Sequence, residues 1–315
     1  MGYMMCGILI LRQQARVRPA ALAMLLALLA GLNSIGCGED RKVEQAERIL
    51  VVASISPLAD FARRVGGDRV QVEVLVSPGE SPHTFEPKSA QMKSVAQASV
   101  LVLNGVGLEY WADDVIKALN NPGLVVVKTA EDLEIIQGNA SSDKHHHESG
   151  NPHVWLDPLY AVRQVENIRD ALIEADPEGK GVYQAGADDY VEQLRALDAD
   201  IRITVATFSS KKFIAQHAGW DYFARRYGLV QAGVVETTPG REPSPAEIAE
   251  IVQTIRAAKA KAIFAEAQLS KKVAEVIAAE SGAQVLHLNP LGVPPAFDYL
   301  ETMRYNLAQL EKGLK

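Results

Sequence analysis

The chain has 315 residues, 48% apolar and 23% charged, which suits a water-soluble globular protein and is long enough for two compact lobes. Acidic side chains outnumber basic ones 39 to 32, a balance that argues against a nucleic-acid partner. Two cysteines, Cys6 and Cys37, leave the body without a disulfide framework.

In chain order the first element is an export signal, expected over residues 1–36. Arg12, Arg16 and Arg18 precede AALAMLLALLAGL, and NSIGC follows: a basic start, an apolar stretch and small residues at the end. The apolar stretch is shorter than the ~20 residues a helix needs to cross hydrocarbon. Cys37 follows Gly36 and is the expected lipidation site, although Ser34 stands where such signals most often carry Leu. GEDRKVEQAER has too little apolar content to fold and reads as a tether over residues 37–47. Without the three signal arginines, 29 basic side chains face 39 acidic ones, a mild attraction for cations. The protein is expected to be exported, periplasmic or membrane-anchored on the extracytoplasmic side.

Residues 48–178 are expected to form an N-terminal lobe. ILVVASIS, VQVEVLVS, VLVLNG and LVVVKTA read as strands, with helices near 88–98 and 108–120 between the later ones. Ser56-Pro57 supplies an expected N-cap and a proline at the first helical position. Asp157-Pro158 opens a helix with an apolar stripe at Val162, Val165, Ile168 and Leu172. Asp176-Pro177 opens a longer one striped by Tyr183, Ala187, Tyr190, Leu194, Leu197 and Ile201, expected as a linking helix over 179–206. A C-terminal lobe over 207–315 repeats the pattern with KKFIAQH, LVQAGVVE, AKAIFAEA and AQVLHLN as strands. Within it, Ser244-Pro245-Ala246-Glu247 has the form of a capping box. The expected fold class is α/β: two similar lobes, each a four-stranded mostly parallel sheet flanked by helices, joined by one long helix.

Ligands of open α/β sheets collect beyond the carboxyl ends of the strands. His83 follows the second strand, His153 the fourth, and His217 closes the fifth; His287 and Asn289 stand at the end of the eighth. A single histidine there is most often structural. Three, divided between two lobes, make a candidate metal cleft, and imidazole nitrogen suits zinc, copper, nickel or iron.

SPGESPHTFEPKSAQM, NPHVWLDPLYA, IAQHAGWDYFARRYGL, REPSPAEIAEIV, AIFAEAQ and LNPLG follow in this order. Together they resemble the zinc and manganese substrate-binding proteins of ABC transporters, the ZnuA/TroA-like group, from about residue 49 to the C-terminus. The resemblance implies one metal held in a cleft between two α/β lobes and handed to a membrane permease. It implies His83, His153 and His217 as ligands. Histidine at position 217, where manganese and iron members carry a carboxylate, implies Zn²⁺ as the transported ion, with a Mn²⁺ or Fe²⁺ carrier as the alternative. The family's fourth ligand is an aspartate where this chain has Asn289, so a weak amide contact or a water is expected there. Glu266 and His287 are the other candidates for the fourth position. The resemblance also makes His145, His146 and His147, in DKHHHESG, an auxiliary metal loop. A monomer is expected, and some relatives are assigned to cell adhesion.

Trp155 is expected to pack beside the site and Asp157 to cap a helix. A secreted zinc hydrolase also uses three histidines and an open position. No H-E-x-x-H occurs, and Glu86, the nearest acid, reads as a surface residue, so no enzyme is expected.

Overall fold

Strand β1 (Ile49–Ala53) is an apolar run, and β3 (Val100–Leu103) is buried at every position, as a parallel strand covered on both faces must be. With β2 (Val70–Val74) and β4 (Val125–Lys128) they form an all-parallel sheet of order β2-β1-β3-β4. β5 (Lys212–Ala215), β6 (Val230–Val234), β7 (Ala262–Glu266) and β8 (Gln284–Leu288) form a second parallel sheet of order β6-β5-β7-β8. Register runs from Ile49 opposite Val70 in the first sheet and from Ala262 opposite Gln284 in the second. These features come from a computed structural model that describes residues 48–77, 79–119, 121–137, 150–236, 241, 243–266, 271–292 and 297–315. The expected export signal, Cys37, the tether, and His145, His146 and His147 lie outside the described residues.

The helices are α1 (Ser56–Gly66), α2 (Ser89–Gln97), α3 (Ala112–Leu119), α4 (Pro158–Ala175), α5 (Lys180–Ala206), α6 (Asp221–Tyr227), α7 (Pro245–Ala258), α8 (Lys271–Ser281) and α9 (Tyr299–Leu314). Two four-stranded parallel sheets joined through a long helix bear out the expected fold class. The 27 residues of α5 extend about 40 Å at 1.5 Å per residue. Its stripe of Tyr183, Ala187, Tyr190, Leu194, Leu197, Ile201 and Val205 is buried, and α5 packs on α1 and α4. Gly186 allows the approach to α1: a Cβ there would meet the carbonyl oxygens of Val65 and Arg64 at 2.6 and 2.7 Å.

Alternation along the strands sorts the C-terminal core. Ile214 and Ile263 pack with Val252, Ile255 and Ile277 of α7 and α8. Their neighbours Phe213 and Phe264 belong to the large cluster that also holds α5, α9 and the N-terminal lobe. Among the described residues, no helix is long and apolar enough to cross a membrane.

Asp157 caps α4 through Leu159 N at 2.8 Å, and Ser244 with Glu247 forms the capping box of α7. Two expected starts differ. Ile55, not Ser56, holds the N-cap position of α1, without a side-chain cap, because Ser56-Pro57 already lies in the first turn. At Asp176-Pro177 a short 3-10 turn, Pro177–Gly179, precedes α5. The Asp176 carboxylate accepts from Arg69 at 2.8 and 2.9 Å and from the Tyr183 hydroxyl at 2.5 Å, and so is not free to cap.

Candidate metal centre

His83 stands in a 3-10 turn, Pro82–Thr84, whose backbone at His83 N donates to the Ser81 hydroxyl. His153 precedes a second 3-10 turn, Val154–Leu156, which leads directly into α4. His217 lies two residues past the end of β5. These are strand-end positions in two lobes, and the fold brings their imidazoles together. His153 Nε2 lies 3.1 Å from His83 Nε2 and 3.0 Å from His217 Nε2. One ligand atom from each of the three lies within 4.8 Å of the other two. Tetrahedral zinc with Zn–N of about 2.0–2.1 Å separates its nitrogens by roughly 3.3 Å, close to the two separations at His153.

Each buried imidazole is held from behind. His217 Nδ1 faces Glu266 Oε1 at 2.8 Å, and the same oxygen accepts from Trp220 Nε1 at 3.1 Å. Glu266 is itself fixed: its backbone N–H donates to the Gln216 side-chain oxygen at 3.0 Å. His153 Nδ1 faces Asn151 Oδ1 at 2.8 Å. Partners on the far nitrogen set ring orientation and leave Nε2 for the ion. Burial, reinforced by the neighbouring His217 and His83, holds His153 well below the ordinary histidine pKa. Burial also opposes charge on His217, but the carboxylates of Glu266, Glu236 and Asp221, with Glu266 foremost, together raise this histidine.

The remaining sequence candidates are placed differently. Asn289 turns into its own loop: Oδ1 accepts from Leu291 N at 3.1 Å and Gly292 N at 2.9 Å, and Nδ2 donates to Gly292 O. Both lone-pair directions of its amide oxygen are thus engaged. Glu266 sits behind His217, on the ring edge away from Nε2. His287 lies on β8 opposite Ala265 and is not among the clustered ligand atoms. Trp155 is fully buried with its ring 5.2 Å from that of His153, and Glu86 is exposed.

Two residues at the site escape sequence reasoning. Asn151 orients His153, and its only signal is an Asx residue two positions before a histidine. Gly219 faces the cluster, where a Cβ would lie 2.7 Å from His217 Nε2 and 3.3 Å from His153 Cδ2.

Fold and site together define a two-lobed α/β protein with three histidines from both lobes gathered into a candidate metal centre. The chain matches the model of the family described as zinc-uptake complex component A, periplasmic (ZnuA), over residues 51–313, and it belongs to that family. It is similar to the zinc-binding lipoprotein AdcA of Streptococcus pneumoniae serotype 4 (strain ATCC BAA-334 / TIGR4), at 29% identity over 305 residues, 92% of this chain and 60% of that one. The chain therefore spans about 60% of the length of the streptococcal relatives it matches. Similarity to the high-affinity zinc uptake system protein ZnuA of Bacillus subtilis (strain 168) is 29% over 309 residues, 93% of this chain and 95% of that one. A solved zinc-bound ZnuA deletion mutant superimposes with a TM-score of 0.76 at 30% identity, covering 85% of this chain and 99% of that one. A mutant of the laminin-binding adhesin Lmb from Streptococcus agalactiae also gives 0.76, at 30% identity, covering 85% and 100%.

Proposed function

We propose that this protein captures Zn²⁺ outside the cytoplasm, in the cleft between its lobes, and delivers it to an ABC permease for uptake. His83, His153 and His217 are the ligands, each through Nε2. The observation that carries this reading is the convergence of three imidazole nitrogens from two lobes, within 4.8 Å of one another. Three neutral nitrogen donors with no carboxylate favour zinc over manganese, whose preference is for oxygen. Water or a small anion occupies the fourth position, since the Asn289 amide oxygen is already engaged by two backbone N–H groups.

The chain acts as a monomer, anchored through Cys37, and its zinc is cargo for transfer, not a catalyst. A family described by uptake and not by a reaction supports that reading. Glu266, the acid closest to the cluster, is committed to His217 and Trp220 and so is badly placed to act as a general base.

Metal analysis by mass spectrometry on the purified chain tests this. One zinc per chain is expected, with loss of tight binding in His217→Ala. A metal content unchanged by that substitution would overturn the assignment.

A further inference from the structure

The structure assigns to Asn151 a positioning role across the cleft: one edge of its amide fixes His153 of the N-terminal lobe, and the other holds the loop that carries His217 in the C-terminal lobe. This rests on the zinc-binding reading of the three histidines.

Asn151 is 7% exposed and uses its whole side chain. Oδ1 accepts from the backbone N–H of His153 at 3.0 Å and faces the Nδ1 of that ring at 2.8 Å. Nδ2 donates to Ala218 O and to Asp221 Oδ2, both at 3.0 Å. Ala218 follows His217, and Asp221 is the first residue of α6.

The direction of the amide follows from its partners. A backbone carbonyl only accepts and a backbone N–H only donates, so the amino group must face Ala218 O and the oxygen must face His153 N. An imidazole nitrogen facing that oxygen must then carry the proton. His153 is therefore held as the Nδ1–H tautomer, with the Nε2 lone pair turned towards His83 and His217. The backbone N–H of His153, in one lobe, and the carbonyl of Ala218, in the other, thus together set which nitrogen of His153 is available to a metal. Drawing the lobes apart at Ala218 would remove the second of these constraints and leave the amide held by the first alone.

The test reads the tautomer in metal-free protein, apart from zinc binding itself. ¹⁵N NMR of labelled histidine is expected to show His153 protonated at Nδ1, and Asn151→Ala to give Nε2–H signal. The same variant is expected to bind zinc about ten- to hundred-fold more weakly in a chelator competition, the usual cost of losing a partner behind a metal ligand. An Nε2–H His153 in the wild type, or an alanine variant with unchanged tautomer and affinity within twofold, would overturn the assignment. Wild-type protein that fails to bind zinc would instead overturn the functional reading, leaving the tautomer result standing.

Asn151→Asp separates the two edges and serves equally if the alanine variant does not fold. It keeps the acceptor for His153 but loses both donors, so Nδ1–H is expected to persist while zinc dissociates faster. Adding Asp221→Asn returns a donor to the contact and is expected to slow release again. Dissociation in Asn151→Asp at the wild-type rate, or without recovery in the double variant, refutes the inter-lobe half.

Discussion

Gly219 and the His217–Glu266 pair carry the sharpest expectations for single residues. A methyl group at position 219 must displace the His217 imidazole, because the space it needs is held by Nε2 and Cε1. Overpacking of this kind costs about 1–3 kcal/mol, which as affinity is about 5- to 140-fold. Gly219→Ala should therefore weaken zinc binding in a competition titration by up to that factor, and any part of the cost borne by the zinc-free fold should appear as a lower melting temperature of the zinc-free chain. The Glu266 carboxylate raises the proton affinity of His217, whereas burial lowers that of His153. Protons therefore compete with zinc more readily at His217 than at His153. Zinc affinity should fall as the pH drops from neutral into the mildly acidic range. In Glu266→Gln the carboxylate charge is gone, so the midpoint of this fall should move to lower pH. An unmoved midpoint would detach Glu266 from the titration.

At the scale of elements, α5 is secured at its start by Asp176 and along its length by Gly186. The Arg69 guanidinium, more than burial can offset, holds the Asp176 carboxyl below the usual carboxylate range, with the Tyr183 hydroxyl assisting. A carboxyl lowered in the folded state contributes stability that is fully present above its unfolded pKa of 3.8 and is lost as the pH falls through its folded value. Asp176→Asn should therefore lower the urea midpoint at neutral pH, and the gap from wild type should close in acid. Gly186→Ala drives a methyl group against two backbone carbonyls that cannot rotate away. A cost of about 1–3 kcal/mol is expected from such overpacking, visible as a lower melting temperature.

Across the whole molecule, one apolar cluster runs from the first sheet through α5 into the inner face of the second. Polar ties follow the same path. Trp155 Nε1 donates to Pro290 O at 2.8 Å, the Tyr299 hydroxyl donates to Trp155 O at 2.6 Å, and Tyr299 N donates to Asp60 at 3.0 Å. Arg226 of α6 bridges Asp157 at 3.2 Å and Asp198 of α5 at 2.6 Å. A core shared in this way predicts a single calorimetric transition for both lobes. Two resolved transitions would contradict it. Zinc, binding only the folded chain, should raise that transition by an amount equivalent to about 2.7 kcal/mol at a free concentration one hundred times its dissociation constant.

Local pattern was enough for the eight strands and for α1 to α5 and α7, while α6, α8 and α9 were not read from it. Alternating β-rich runs and apolar stripes marked the strands of both sheets and the buried face of α5, because burial of a sheet or helix face imposes its period on the residues. Histidines at strand ends could be read as candidates for the same reason: topology places those ends at the cleft. Ser56 and Asp176 were harder, since proline-started segments enter a helix or a 3-10 turn according to what their side chains meet elsewhere, such as Arg69 in another part of the chain. The partners of Asn151, Gly219 and Asn289 had no linear signal, for each depends on atoms brought near by packing and not by spacing. The sequence by itself determined which groups can bind a metal. Only the tertiary structure decided which nitrogen each presents, because a tautomer and a ring orientation are set by neighbours in space.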